Sequence, residues 1–204
     1  MRSRVTRLSL VALSTLLLSV TASADTWTID TNHSHVGFSV RHLLTPVPGS
    51  FGDFAGVIVY DPENPTTSSV EVTVQAASID TANERRDNHL RSADFFDVAK
   101  HPEITFKSTK VARAGRGKLK VTGDLTMRGV TKPVTLLVMG PTKPQKSPSG
   151  TTVRGVSATG KVNRKDWGLN WNAALEAGGV VVGDEVELQI DAELVSKPAA
   201  EAKN

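Results

Sequence analysis

The sequence predicts an all-β protein, an eight-stranded antiparallel β-barrel with one or two short helices. Three observations predict this fold. Apolar and polar residues alternate along most of the chain, clusters of Gly, Pro, Asn and Asp interrupt the alternation at hairpin-like intervals, and the apolar stripes number eight. A barrel of eight strands is just wide enough to hold one small ligand.

Each apolar stripe takes every second residue of its segment and therefore lies on one face of a strand. His42 continues the first stripe, so its imidazole is expected to point inward, either against buried backbone or at the polar head of a ligand. In chain order the stripes are Val36, Phe38, Val40 and His42; Phe54, Gly56, Ile58 and Tyr60; Val70, Val72, Val74 and Ala76; Ile104 and Phe106; Leu119, Val121, Gly123, Leu125 and Met127; Val134, Leu136 and Val138; Val156, Ala158, Gly160 and Val162; and Val186, Leu188, Ile190, Ala192 and Leu194.

The same alternation fits a β-sandwich, because both architectures bury one face of each strand. The positions of three glycines favour the barrel. Gly56, Gly123 and Gly160 lie on apolar faces of long strands, where a packed sandwich needs bulk. Glycine there indicates curvature of the sheet or the close approach of a ligand.

Two segments break the β pattern and predict short helices. The first runs from Asn83 to Phe96, with Thr81 or Asn83 as its N-terminal cap. The second covers Asn172 to Glu176 and ends at the glycine pair 178–179.

The two ends of the chain are expected to lie outside the folded domain. Three arginines precede an apolar run of 13 residues, Leu8 to Val20, which is followed by Ala22-Ser23-Ala24. This layout is typical of a secretory signal peptide, and the run is shorter than the roughly 20 residues of a membrane-spanning helix. We therefore expect cleavage after Ala24, one domain over residues 25–196, and a disordered tail over 197–204.

Charge and cysteine content exclude several classes of function. The leader carries Arg2, Arg4 and Arg7, so its removal leaves 21 of the 24 basic residues against 21 acidic ones. A neutral domain does not indicate nucleic-acid binding, which depends on clustered Lys and Arg. The chain has no cysteine, which excludes disulfides, thiolate metal sites and c-type haem.

Few residues form a constellation that would carry chemistry. His33 and His35 lie two residues apart on a strand, but two imidazoles do not make a zinc site. A polar strand entry in which His33 or Ser34 bonds nearby backbone explains the segment better. Ser34, Asp87 and His89 could be drawn as a hydrolytic triad, but the sequence has no G-x-S-x-G turn. We expect no catalytic residue, no metal and no cofactor.

The segment after the seventh stripe, Asn163 to Gly168, has two readings. In the first it is a structural turn in which Arg164 pairs with Asp166 while Trp167 closes one end of the barrel. In the second it takes part in function. The same two interpretations apply to four phenylalanines, which suit either a packed core or a slot for an apolar chain: Phe51, Phe54, Phe95 and Phe96.

Several segments together resemble the YceI-like family of polyisoprenoid-binding proteins, and they occur in family order. They are Asp30-x-x-His33-Ser34-x-Val36-x-Phe38-x-Val40-x-His42, Gly49-x-Phe51-x-x-Phe54-x-Gly56, Ser78-Ile79-x-Thr81, Arg86-Asp87-x-His89-Leu90-Arg91-Ser92-x-Asp94-Phe95-Phe96-Asp97-Val98, Pro102-x-Ile104-x-Phe106-x-Ser108, Gly123-x-Leu125-Thr126-Met127-Arg128-Gly129-Val130-Thr131-Lys132-Pro133-Val134 and Asn163-Arg164-x-Asp166-Trp167-Gly168. Trp167 stands where the family often has Phe, and Met127 where Ile is frequent.

This resemblance implies a lipocalin-like barrel, a periplasmic location, and an isoprenoid lipid such as a quinone or a polyprenyl phosphate inside the barrel. Transient contact with a membrane, or with membrane-bound enzymes of lipid metabolism, is compatible with that role, and the oligomeric state, a homodimer included, stays open. The residues expected to contact the lipid are Phe38, Val40, His42, Phe54, His89, Leu90, Phe95, Phe96 and Leu125.

Three functions therefore fit the sequence. The leading one is a carrier for a polyisoprenoid or a similar long amphiphile. The second is a ligand-free interaction module whose barrel is filled by its own side chains. The third is a lipid-modifying enzyme with His42 or His89 as its base.

Overall fold

The computed structural model describes residues 24–174 and 181–196. The expected signal peptide, apart from Ala24, and the expected tail at 197–204 lie outside the described residues. Within the described part of the chain, no helix combines the length and the apolar character that crossing a membrane requires.

Strands make up most of the described chain. The single α-helix of this part, α1, spans Glu84–Arg91, and short 3-10 turns occur at Pro65–Thr67, Ala76–Ser78 and Arg164–Trp167. The strands are β1 (Asp25–His42), β2 (Thr45–Phe51), β3 (Phe54–Tyr60), β4 (Ser69–Gln75), β5 (Ile79–Asp80), β6 (Glu103–Arg113), β7 (Lys118–Met127), β8 (Val130–Met139), β9 (Gln145–Lys146), β10 (Thr152–Asn163) and β11 (Val182–Ser196).

The sheet closes on itself as an antiparallel barrel. Around the ring the order is β1, β3, β4, β6, β7, β8, β10 and β11, and β11 pairs back with β1 from Trp27↔Ser196 to His42↔Val182. The eight predicted stripes lie in these eight strands, so the predicted barrel is confirmed and the sandwich alternative is wrong. The sequence did not predict β2, β5 and β9.

The barrel has two different ends. At one end lie α1, the β1–β2 turn and the connection from β10 to β11; we call this end the mouth. At the other end lie the start of β1 and the turns that follow β3 and β8; we call this end the floor.

Helix α1 begins as predicted but ends earlier. Asn83 caps it, because its side-chain oxygen accepts a hydrogen bond from the Arg86 backbone N–H at 3.0 Å. The predicted extension to Phe96 is wrong. The carbonyl of Leu90 accepts from the N–H of Phe96 instead of continuing the helix, and this turn places Phe95 in the buried core of the mouth.

The second predicted helix is wrong where the structure describes it. Asn172 and Ala173 are not helical, while Leu175, Glu176 and the glycine pair lie outside the described residues. The Asn172 amide instead bonds the backbone where β11 begins: it accepts from the N–H groups of Val181 (3.1 Å) and Val182 (3.0 Å). An Asn side chain that satisfies strand backbone competes with helix formation.

The three inward glycines make room for neighbouring side chains. A Cβ on Gly56 would lie 2.6 Å from the Cδ1 of Ile29, and one on Gly123 would lie 2.5 Å from the ring of Phe106. A Cβ on Gly160 would lie 2.6 Å from Leu136. Each glycine thus lets a large residue of the next strand fold across it, so the space belongs to the wall and not to a ligand.

We expect Gly123→Ala to destabilise the barrel by about 1–3 kcal/mol. The added methyl would meet the Lys107 carbonyl oxygen at 2.6 Å as well as Phe106, and the backbone cannot move without disturbing the β6–β7 ladder. Gly155→Ala is the matched control, because the nearest atom to its Cβ lies 3.6 Å away. Urea unfolding measures both variants; equal midpoints would contradict the crowding.

Candidate ligand-binding cavity

The barrel encloses a cavity of about 710 Å³. Its wall is almost entirely apolar, because the inward residues of all eight barrel strands are Val, Ile, Leu, Phe, Met and Ala at nearly every position. The strand residues with apolar side chains that line it include Val36, Phe38, Val40, Ile58, Val70, Val72, Val74, Ile104, Phe106, Leu119, Val121, Leu125, Met127, Val134, Leu136, Val138, Val156, Ala158, Val162, Val186, Leu188, Ile190, Ala192 and Leu194.

The cavity reaches the surface at the mouth. Three residues that line it there, His42, Asn83 and Arg85, are exposed to solvent. Arg86 and His89 line the same rim and are half-buried. An apolar interior with a polar rim at one end suits a molecule with an apolar chain and a polar head.

Hydrogen bonds between charged side chains and backbone hold α1 against this rim. The Arg86 guanidinium donates to the hydroxyl and the carbonyl of Thr81, both at 2.7 Å, and buried Asp87 accepts from the Thr81 N–H at 3.0 Å. Arg91 donates to the carbonyls of Ala77 (2.8 Å) and Ile79 (2.7 Å). Hydrogen bonds of charged groups are among the stronger ones, so the helix is a fixed part of the mouth.

An aromatic cluster forms one side of the mouth. The His89 ring meets Phe95 and Trp171 edge-on, with centroids 5.1 and 4.8 Å away. Its Nε2 lies 2.9 Å from the Asp94 carboxylate, which fixes the ring orientation. Such edge-to-face pairs favour a defined arrangement, so His89 has a structural role at the rim beside its exposure to the cavity.

Arg164 organises the loop that follows β10. It is buried, and its guanidinium donates to the carbonyls of Gly183 (2.9 Å), Trp171 (2.9 Å) and Leu169. The predicted pair with Asp166 is wrong, because the carboxylate beside Arg164 is that of Asp184 at 3.3 Å. Burial lowers the pKa of the Arg164 guanidinium, and Asp184 partly offsets this effect.

Trp167 packs into the core beside the mouth, in the structural role that the sequence predicts, but it does not close that end of the barrel, where the cavity opens. Its indole is 2% exposed, and Nε1 donates to the carbonyl of Leu125 at 3.1 Å. It packs with Phe54, Phe95 and Met127 and is not part of the cavity wall. The structural reading of this segment is therefore confirmed for Trp167.

The floor is closed by a cation and two aromatic rings. Arg154 is buried, and its guanidinium lies 5.0 Å from the centre of the Trp27 ring and 5.4 Å from that of Tyr60. One of its nitrogens donates to the carbonyl of Thr142 at 2.7 Å. This stack seals the barrel behind the last apolar layer of the cavity.

Eight of the nine residues predicted to contact a lipid line the cavity: Phe38, Val40, His42, His89, Leu90, Phe95, Phe96 and Leu125. Phe54 does not, because its side chain packs into the buried core beside Trp167. Sequence reasoning missed the rim residues Asn83 and Arg85 and the loop residue Trp171. These three lie in α1, at its N-terminal cap or in a loop, where no alternation of apolar and polar residues marks which side chains turn inward.

An irregularity in the pairing of β1 with β11 precedes the first stripe, and His33 and Ser34 lie within it. Thr31 to Ser34 stand opposite Ala192 alone, between the pairs Asp30↔Glu193 and His35↔Asp191. The Ser34 hydroxyl accepts from the Glu193 N–H at 3.0 Å and so repairs the interrupted ladder. This confirms the predicted backbone hydrogen bond for Ser34, whereas His33 bonds the Asp30 carboxylate.

Asp30, His33 and Glu193 bring one ligand atom each to within 4.8 Å of one another on the outer surface. His33 Nδ1 lies 2.8 Å from the Asp30 carboxylate. This hydrogen bond is the main reason that the pKa of His33 is raised above 6.5, with the charges of Asp30 and Glu193 adding to it. The same bond, followed by that from the Asn32 N–H, lowers the pKa of Asp30 below 3.8.

A closed eight-stranded barrel with an apolar interior and a polar rim defines a class of small-molecule binding barrels. Residues 27–194 match the YceI-like domain, and the chain belongs to this family. A UPF0312 protein of Staphylococcus aureus is 38% identical over 168 residues, which cover 82% of this chain and 95% of that protein.

Two solved structures show the same architecture. The YceI protein of Campylobacter jejuni is 33% identical, with a TM-score of 0.66 over 83% of this chain and 96% of that one. A polyisoprenoid binding domain from Saccharophagus degradans has a TM-score of 0.57 over 85% and 99% of the two chains. Its identity is 13%, so this second likeness concerns the fold alone.

We expect Asp30→Asn to bring the pKa of His33 back toward 6.5, as followed by NMR titration of its imidazole protons. The stabilisation from His33 is complete below pH 6.5 and is lost as the pH rises through the raised pKa. That from Asp30 is present above pH 3.8 and is lost as the pH falls through its lowered pKa. The pair of Asp30 and His33 therefore stabilises the bulge most between about pH 3.8 and pH 6.5. An unchanged titration of His33 in the variant would argue against this pairing.

Proposed function

We propose that this protein binds and carries a polyisoprenoid, or a similar long-chain amphiphile, inside its barrel in the periplasm. The observation that carries this proposal is the cavity of about 710 Å³ with an apolar wall and a polar mouth. Cavities of roughly 300–1,000 Å³ are typical for bound organic molecules.

The wall can supply the binding energy without an ionic contact. Each methylene that leaves water contributes about 0.8 kcal/mol, so an apolar chain of some twenty carbons gains on the order of 15 kcal/mol before the entropic costs of binding. Such binding selects for chain length and cross-section. The head group would lie at the rim formed by His42, Asn83 and Arg85, where it stays hydrated.

The comparisons support the same class of ligand. The domain from Saccharophagus degradans is described as polyisoprenoid binding, and its fold covers 85% of this chain. Membership of the YceI-like family supports a binding role over an enzymatic one. The N-terminal sequence supports export, because its arginines, apolar run and small residues have the order of a signal peptide.

The interior argues against the interaction module. That alternative requires a barrel filled by its own side chains, whereas the cavity extends from the rim at His42 to Tyr60 and Pro141 near the floor.

We expect Ala158→Phe to lower the affinity for prenyl lipids at least tenfold. Ala158 lines the cavity and is buried, so a phenyl ring there occupies the space of the ligand chain. Thr159→Phe is the matched control, because the neighbouring side chain is exposed on the outer face of the same strand. Fluorescence titration with a labelled farnesyl probe measures both; equal affinities would show that the chain does not lie in the barrel.

Native mass spectrometry of the purified protein, followed by dissociation, identifies the ligand directly. We expect a released mass that matches a prenyl lipid. A bare protein mass from several hosts, still bare after incubation with prenyl lipids, would contradict the proposed function.

A further inference from the structure

The turn between β1 and β2 exposes two adjacent leucines at the mouth. Leu44 is 87% exposed and Leu43 is 45% exposed. Among the other large apolar side chains of the described residues, the highest exposed fractions are 49% for Met139 and 44% for Val57, well below that of Leu44.

Leucine is costly at this turn in two ways. Leu43 has a φ of 54°, in the left-handed region that favours Gly, Asn and Asp. This backbone conformation is therefore unfavourable for leucine. The Leu44 side chain is also almost fully exposed to water, where it gains little from burial. For Leu44, packing within the described residues does not offset this cost, which indicates an apolar surface outside the protein.

The turn is held rigidly beside the opening of the cavity. The β1–β2 ladder pairs every residue from Val36↔Phe51 to His42↔Thr45, and the Leu43 N–H donates to the carbonyl of Val181 at 2.9 Å. Three residues close to the turn of this hairpin, Val40, His42 and Val47, line the cavity. The leucines therefore project from the point where an apolar ligand enters or leaves.

Charge around the turn suits an anionic surface. The hairpin from Val36 to Phe51 has no acidic residue, and exposed Arg41 donates to the Leu44 carbonyl at 3.0 Å. Arg85 of α1 is also exposed at the rim, beside exposed Glu84. The carboxylate of Asp184, at the start of β11, is paired with Lys165 at 2.8 Å and with Arg164. Apolar side chains flanked by cations are the pattern of a site that inserts into an anionic bilayer.

The edge beside the turn is unsuited to a protein strand. Between Thr45 and Gly49, β2 pairs with β1 alone, since β5 pairs with Ser50 and Phe51. Pro46 and Pro48 lie in this open stretch and lack backbone N–H donors, which blocks strand addition.

We propose that Leu43 and Leu44 dock the mouth of the barrel onto an anionic lipid bilayer, so that an apolar chain passes between membrane and cavity without crossing water. This inference rests on the proposed function for its purpose. Its test is independent of it, because docking and ligand uptake are measured separately.

The test is flotation with vesicles of phosphatidylcholine and phosphatidylglycerol in a ratio of 7:3. It compares the parent protein with a turn variant, Leu43→Ser/Leu44→Ser, and with a wall control, Leu137→Ser/Met139→Ser. The last is the matched control: it removes two exposed apolar side chains (39% and 49%) from the outer wall of β8, away from the mouth. All three proteins share one N-terminus, so any contribution of residues 1–24 cancels in the comparison.

We expect the turn variant to lose about tenfold or more of the vesicle-bound fraction at equal lipid, and the wall control to match the parent. Weaker binding to pure phosphatidylcholine vesicles would support the role of the cations. Binding of the turn variant equal to that of the parent, or an absence of binding by the parent, would overturn the proposal. So would a loss of dimer in the turn variant by light scattering with vesicle binding unchanged, since the leucines would then contact a second copy.

Uptake of a labelled farnesyl probe in the absence of vesicles separates the two proposals. Probe uptake by all three proteins, together with equal vesicle binding by the turn variant and the parent, would reject docking and leave the carrier function in place. No uptake by any protein, with vesicle binding lost only in the turn variant, would reject the carrier function and retain the docking site.

Discussion

The pairing of β1 with β11 closes the sheet, and the cavity depends on it because an open sheet would expose every inward stripe to water. The two strands come from opposite ends of the domain. Their ladder is interrupted where Thr31 to Ser34 face Ala192, and the Ser34 hydroxyl bridges the gap by accepting from the Glu193 N–H. The bulge is therefore a built part of the closure, and Asp30 and His33 hold it from outside.

Closure leaves the barrel hollow, with a packed floor and an open mouth. Trp167 and its neighbours form the core beside the mouth, while Trp27 and Arg154 seal the floor. Along the wall, glycine opposite a large residue sets the curvature without adding bulk to the interior. The hollow region has few polar groups, so a ligand there would be selected by its shape and apolar area, and its polar contacts would be confined to the rim.

Apart from the β1–β2 hairpin, the mouth is built from segments that have no regular strand pairing, and arginines hold these segments together. Arg164 binds the loop after β10, Arg91 binds the approach to α1, and Arg128 donates to the carbonyls of Ala93 and Gly168. Each guanidinium satisfies backbone carbonyls that strands would otherwise satisfy. The result is a rigid opening, with the exposed leucines of the β1–β2 turn fixed at its edge.

The sequence by itself determined which residues face inward, because the period of two is a local property of each strand; the eight stripes and the Asn83 cap were readable for this reason. The tertiary structure decided whatever depends on contacts distant in sequence. It placed Phe54 in the core instead of the cavity, gave Arg164 the partner Asp184 instead of Asp166, and ended α1 at Arg91. It also brought Asp30 beside Glu193, because strand closure alone sets which residues of β1 and β11 meet.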